Sequence, residues 1–362
     1  SIGTPCTLAF AVGGGSSPVQ PGDTVELATG IYRAVSWTLS PAGTSSTVKT
    51  IWKAASGAIP ILTKTDDTPP EIHIPSYTRL DGLWMGGTRI ETATGIFLGG
   101  SPISNYVEVV NCTIFGYADG LEVGSAQYYL IQGNRFVNTG HGTFDHSIYA
   151  SGNDNHDGTE TNHGIIDNNL FVAGGGGYAV HCFPSNKSMI VTRNGVFGPG
   201  SWGFAIYGKA FLAANNFVWK GWHSDAVSGN GYNFNAPPNS IVVNNIDGIG
   251  GQYGFYLGRP EDPPWDGISS KNAFMHPSDC CGFLADIVDI PLNSQAANLG
   301  LSTAEIDSTI AAIAASFAAL DLNTILNDAT IEGNFTTLRT AIPVDSVLYH
   351  TGYPWFDVNP IN

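Results

Sequence analysis

Seven asparagines recur at near-regular intervals through the middle of the chain, at Asn111, Asn134, Asn169, Asn194, Asn216, Asn245 and Asn272. The steps between them are 23, 35, 25, 22, 29 and 27 residues. Apolar, aromatic or β-branched side chains follow each one, as in NCTIF (111–115), NRFV (134–137) and NLFV (169–172), and then comes a Gly-rich turn. A second short strand completes each unit: GLEV (120–123), SIYA (147–150), AVHC (179–182), AIYG (205–208), AVSG (226–229) and FYLG (255–258). A repeat of this length marks a solenoid in which each unit is one coil. Two or three short strands per coil, bent by Gly and Asn, describe a parallel β-helix. Asn suits the bends because it tolerates positive φ. Coils stacked at about 4.8 Å also bring equivalent side chains over one another, so amides can bond up the stack.

Composition narrows the function classes. With 45 glycines and 12% charged residues the chain is built of turns and strands rather than helices. A net charge of −16 argues against nucleic acid, whose binding needs a basic footprint. No apolar run approaches the 18 residues that a membrane-spanning helix needs. Five cysteines, Cys6, Cys112, Cys182, Cys280 and Cys281, are too sparse for a disulfide framework, and Cys112 and Cys182 read as buried thiols on core strands. Ser1 opens the chain with no leader, as expected of a processed or trimmed chain. An extracellular or virion-surface setting fits this balance.

Taken in order, residues 1–20 carry a short apolar stretch expected to cover the first open coil. PGDTVELATGIYR (21–33) follows, with a Pro-Gly turn, an alternating strand and a Gly-x-Tyr ending. This stretch resembles the opening coil of the pectate-lyase-like right-handed β-helix superfamily. Together with the Asn-led units, the resemblance covers about residues 1 to 280. It implies an all-β, right-handed parallel β-helix over 1–285. Activity is left open, since that superfamily includes lyases, hydrolases, epimerases and phage tailspikes. After residue 285 the pattern changes. STAEIDSTIAAIAASFAALD (302–321) opens with Ser302 and Glu305 in capping-box spacing and places Ile306, Ile310, Ile313 and Phe317 on one stripe. A helix is expected there, within an appendage (286–362) that packs on the solenoid or joins an oligomer contact.

Alternation along the second strand of each unit supplies the candidate site. With Leu121, Ile148, Val180, Ile206 and Val227 inward, Glu122, Tyr149, His181, Tyr207 and Ser228 form an outward row. Lys209, Asp225 and Arg259 fall close to it, and the polar segment 141–164, with His141, Asp145, His146 and His163, is long enough to arch over it. Aromatic faces stack on sugar rings, and polar groups fix hydroxyls or a carboxylate. Two chemistries compete for such a groove. In β-elimination on a uronate, Lys209 or Arg259 neutralises the carboxylate and Tyr149, His181 or Tyr207 takes the C5 proton. In glycoside hydrolysis, two carboxylates drawn from Asp119, Asp145, Glu122 and Asp225 divide acid and base roles. No motif calls for a cofactor. Asp154, Asp157 and Glu160 are candidate ligands for calcium. The expected partner is a polysaccharide substrate or glycan ligand, with a homo-oligomer or virion assembly as the expected setting. The competing function is a non-catalytic glycan-binding or structural protein.

Overall fold

The computed structural model describes residues 18–274, apart from 35, 67, 88–94, 100–102, 141–144, 152–161, 173–176, 184–185, 187–188, 198–201, 207–211, 215, 220–229, 235–240, 244–245, 248–252, 258–267 and 271–272. The N-terminal cover, the appendage, the helix at 302–321 and the boundary at 285 lie outside the described residues, as do Cys6, Cys280 and Cys281.

Among the described residues, thirty strands form three parallel sheets of 11, 10 and 9 strands. The chain visits the sheets in turn and then climbs to the next level, so each strand pairs with its equivalents one coil below and one above. The first coil is Thr24–Leu27, Gly30–Arg33 and Ser36–Thr38. The next strand of the first sheet, Thr50–Ala54, pairs with Thr24–Leu27 in parallel. The architecture is the right-handed parallel β-helix that the opening coil and the Asn spacing led us to expect.

Period-two alternation sends one face of every strand inward. Trp37, Ile72, Ile96, Leu121, Ile148, Val180 and Phe204 stand in register in the third sheet and form one column of the core. Each buried aliphatic or aromatic side chain contributes about 1.5–3 kcal/mol. Cys112 and Cys182 are free and buried in this core, and burial pushes both thiols up to about 12.

The asparagine ladder forms at the bend between the first and second sheets. Asn134, Asn169, Asn194 and Asn216 are fully buried there. Each Nδ2 donates upward to the next Oδ1 at 3.0 Å, in the pairs Asn134 to Asn169, Asn169 to Asn194 and Asn194 to Asn216. The other Nδ2 hydrogen of each goes to a core-strand carbonyl of the coil below, at Val109, Ile131, Ile166 and Val191. Asn111 is a correction to the expected ladder. It has φ 55, lies exposed and donates to Asp81 Oδ1 at 3.0 Å. The ladder position in its coil is Cys112, whose amide donates to Asn134 Oδ1. The left-handed residue is thus the one before the ladder position, filled in successive coils by Gly82, Asn111, Gly133, Asn168 and Arg193.

A second ladder, not anticipated, marks the entry to the first sheet. Tyr77, Tyr106, Tyr128 and His163 all have φ between 55 and 58. Their rings stack at centroid distances of 5.7, 4.8 and 4.6 Å. A left-handed non-Gly residue costs about 1–2 kcal/mol. An aromatic pair returns about 0.5–1.5 kcal/mol, so stacking offsets part of the strain.

Candidate functional site

The outer row of the third sheet reads Thr38, His73, Phe97, Glu122, Tyr149, His181, Ala205, Asn233 and Tyr256, by strand register. Glu122, Tyr149 and His181 are level in consecutive coils as alternation required. The row then departs from the expected one. His181 lies beside Ala205 and Cys182 beside Ile206, so Ala205 holds the level that alternation assigned to Tyr207. The next described strand, Asn230–Phe234, puts Asn233 at the following level, and Ser228 lies outside the described residues. Tyr207, Lys209, Asp225, Arg259 and His141 lie outside the described residues, as do the calcium candidates Asp154, Asp157 and Glu160.

His146 joins this row from just before the strand Ile148–Ala150. Its Nδ1 accepts the Tyr178 amide at 3.0 Å, and its Nε2 lies 3.0 Å from His181 Nδ1. The amide contact fixes the tautomers. A neutral His146 ring that accepts at Nδ1 carries its proton on Nε2, and this proton is donated to His181 Nδ1. His181 therefore holds its own proton on Nε2. Both rings are held neutral at ordinary pH. Burial, and then the neighbouring His181, lower His146 to about 3, and burial lowers His181 to about 4.

Aromatic rings surround the pair. Tyr149 is 4.9 Å from His146 and 5.2 Å from His181 between centroids, and Tyr178 is 5.4 and 4.9 Å from them. Phe183 closes the edge at 6.0 Å from His181. Tyr178 and Phe183 did not stand out in the sequence. Alternation would put Tyr178 on the inner side with Val180, but Ala179 and Val180 are both buried and the Tyr178 ring lies against the histidines. The glycine before it makes room for this placement. A Cβ on Gly177 would sit 1.4 Å from the Asp145 carbonyl oxygen and 3.0 Å from His146 Nδ1, so only glycine lets these coils close. Gly177→Ala is expected to cost about 3 kcal/mol, the upper part of the overpacking range, and to part the Tyr178 amide from His146. Gly30→Ala, whose Cβ would meet nothing nearer than 3.8 Å, is the neutral control in urea unfolding.

The carboxylates are less free to react. Asp119 Oδ1 accepts the His146 backbone amide at 2.6 Å, a structural bond that sets the entry of that strand. Glu122 stands in the row and accepts from the Ser151 hydroxyl at 3.4 Å. Asp145 presents its backbone carbonyl to Gly177. His163 is a correction of place. It lies within Asn162–Asp167 of the first sheet rather than in a loop, is buried, and stacks on Tyr128 away from the outer row.

No family model matches the sequence, and no curated protein matches it. Solved structures share its fold. An alginate lyase from Paenibacillus sp. str. FPU-7 is similar over 74% of this chain and 96% of its own, with 16% identity and a TM-score of 0.55. PfbA, a surface adhesin of Streptococcus pneumoniae, is similar over 75% of this chain and 74% of its own, with 14% identity and a TM-score of 0.50. One of these is an enzyme and the other an adhesin, so what is shared is the parallel β-helix fold, and function rests on the site.

Proposed function

We propose that the protein is a carbohydrate-active enzyme that cleaves an acidic polysaccharide by β-elimination along the outer face of the third sheet. The observation that carries this reading is the neutral His146–His181 pair set between two phenols on a rigid outer row. Titratable groups displaced from their ordinary pKa and clustered on a scaffold are the usual mark of a reactive site. The tautomers divide the work. His181 carries its proton on Nε2, which is buried in the row. Once a ring beside it turns aside, that nitrogen donates a hydrogen bond to substrate oxygen, either the uronate carboxylate or the oxygen that departs. Tyr149, one coil below, gives its phenol proton to solvent and as the phenolate takes the C5 proton. The electron pair of that C–H bond then forms the C4–C5 double bond while the C4–O bond breaks, and the departing oxygen takes its proton from the re-formed Tyr149 phenol. Lys209 and Arg259 remain the candidate cations for the carboxylate. Hydrolysis is less well supported, because Asp119 is committed to a backbone amide. An extracellular setting belongs to the same reading, as a polysaccharide of this kind is met outside the cell.

A second reading, glycan recognition without cleavage, is favoured by the burial of His181 Nε2. One screen separates the two. Uronic-acid and neutral polysaccharides are incubated with the protein and followed for ultraviolet absorbance and reducing ends together. Elimination raises both, hydrolysis raises reducing ends alone, and recognition leaves binding without either. Given elimination, Tyr149→Phe is expected to lower kcat by about a hundredfold or more, with the thermal midpoint unmoved. Full turnover in that variant would remove Tyr149 from the reaction.

A further inference from the structure

The outer face of the first sheet changes character partway up the stack. Its register row begins Ile51, Arg79 and Glu108 and continues with Leu130, Ile165, Ile190, Leu212, Ile241 and Ile268. Arg79 donates to Glu108 at 3.1 Å and Lys49 pairs with the same carboxylate, so the lower levels carry an ion-pair network that suits solvent. From Leu130 upward every residue of the row is Leu or Ile. Leu130, Ile165 and Ile190 point away from the core, because their neighbours Ile131, Ile166 and Val191 fill it. Yet Leu130, Ile165 and Ile190 are only 7, 6 and 6% exposed. Among the described residues, no strand packs across this face. Outward side chains that are nonetheless out of water need a cover.

We infer that the C-terminal appendage supplies the cover, with the stripe Ile306, Ile310, Ile313 and Phe317 laid along the aliphatic row. Residues 275–362 follow the last described strand, Ala273–Phe274, at the upper end of the stack, where the row is aliphatic. The dimensions agree. Six levels from Leu130 to Ile268 rise about 24 Å at roughly 4.8 Å per strand. A helical stripe from Ile306 to Phe317 spans about 16 Å at 1.5 Å per residue, so it fits within the row. Ala-rich flanks on either side of the stripe let a helix approach a sheet closely. The acids of that segment, Glu305 and Asp307, fall off the stripe. This inference stands apart from the reading of the third sheet.

The test places a thiol in the row of the full-length chain. Ile165→Cys is made in a background of Cys6→Ser, Cys280→Ser and Cys281→Ser, in which the buried Cys112 and Cys182 stay silent. Its labelling by a thiol reagent is expected to be at least tenfold faster once Ile306→Asp and Ile310→Asp are added, with the strand signal in circular dichroism retained. Paired with Ile310→Cys instead, it should form an intramolecular disulfide, whereas Glu122→Cys paired with Ile310→Cys should not. Fast labelling in the parent, or no change when the stripe is charged, would overturn the inference. A disulfide-linked dimer would do so too, because the cover would then be a second copy. If the charged variant does not fold, the disulfide pair decides alone.

Discussion

Asn169→Ala is expected to cost about 5 kcal/mol, a large share of the roughly 5–15 kcal/mol that holds a folded domain together. The size follows from counting groups left without partners. Asn169 Oδ1 accepts both the amide and the side-chain Nδ2 of Asn134, each at 3.0 Å. Its Nδ2 donates to Ile131 O at 2.9 Å and to Asn194 Oδ1 at 3.0 Å. Truncation therefore orphans two donors and a carbonyl and takes one donor from Asn194, all in a site with no solvent exposure. Each orphaned buried group costs about 1–3 kcal/mol. Because the fold is a stack in which each coil touches only its neighbours, the loss falls between two coils. Urea unfolding should shift to lower denaturant and split into two steps, as the coils on either side of the break unfold separately. Asn111→Gly keeps the left-handed turn and gives up one exposed bond, so it should cost less than about 1 kcal/mol. A loss below about 1 kcal/mol in Asn169→Ala would mean that the ladder is geometry without energy.

The contrast between those two asparagines shows how far the sequence could be read. Spacing alone revealed the coils and the bend, because every coil must turn at the same level to stack. It could not tell a left-handed turn residue from the buried residue after it, since Asn serves both places and NC at 111–112 offers Asn one position early. Register in the third sheet failed for a related reason. A slip of one residue would turn the apolar face outward, but a slip of two keeps inside and outside unchanged. Phe204 and Ile206 are both apolar, so alternation accepted either opposite Val180, and only the backbone pairing selects Phe204. The stacked Tyr77, Tyr106, Tyr128 and His163 were legible in principle. Their steps of 29, 22 and 35 residues match those of Gly82, Asn111, Gly133 and Asn168. Tyr178 and the His146–His181 contact were not legible. They depend on how closely two coils approach at Gly177, which no residue pattern encodes.

That close approach also predicts the response of the protein to acid. His146 and His181 are neutral in the folded chain, with pKa values lowered to about 3 and about 4, whereas in the unfolded chain each returns to its ordinary value near 6.5. A depressed folded value means that the unfolded chain binds more protons on the acid side. The stabilisation is complete above about pH 6.5 and is lost as pH falls toward 4 and then 3. Between pH 7 and pH 5 each imidazole accounts for about 2 kcal/mol, or about 4 kcal/mol for the pair. Tyr149 and Tyr178 face the pair with their rings, and Asp119 accepts the His146 backbone amide. Stability from urea unfolding should therefore drop steeply from pH 7 to pH 5. Nitrogen-15 imidazole resonances of these two rings should stay at neutral values down to the pH where the fold is lost. Their tautomers give a further check, with His146 and His181 both protonated at Nε2. A ring of this pair that titrates near pH 6.5 while the chain stays folded would mean that water reaches it, and the proposed donor role of His181 would have to be rebuilt around an imidazolium.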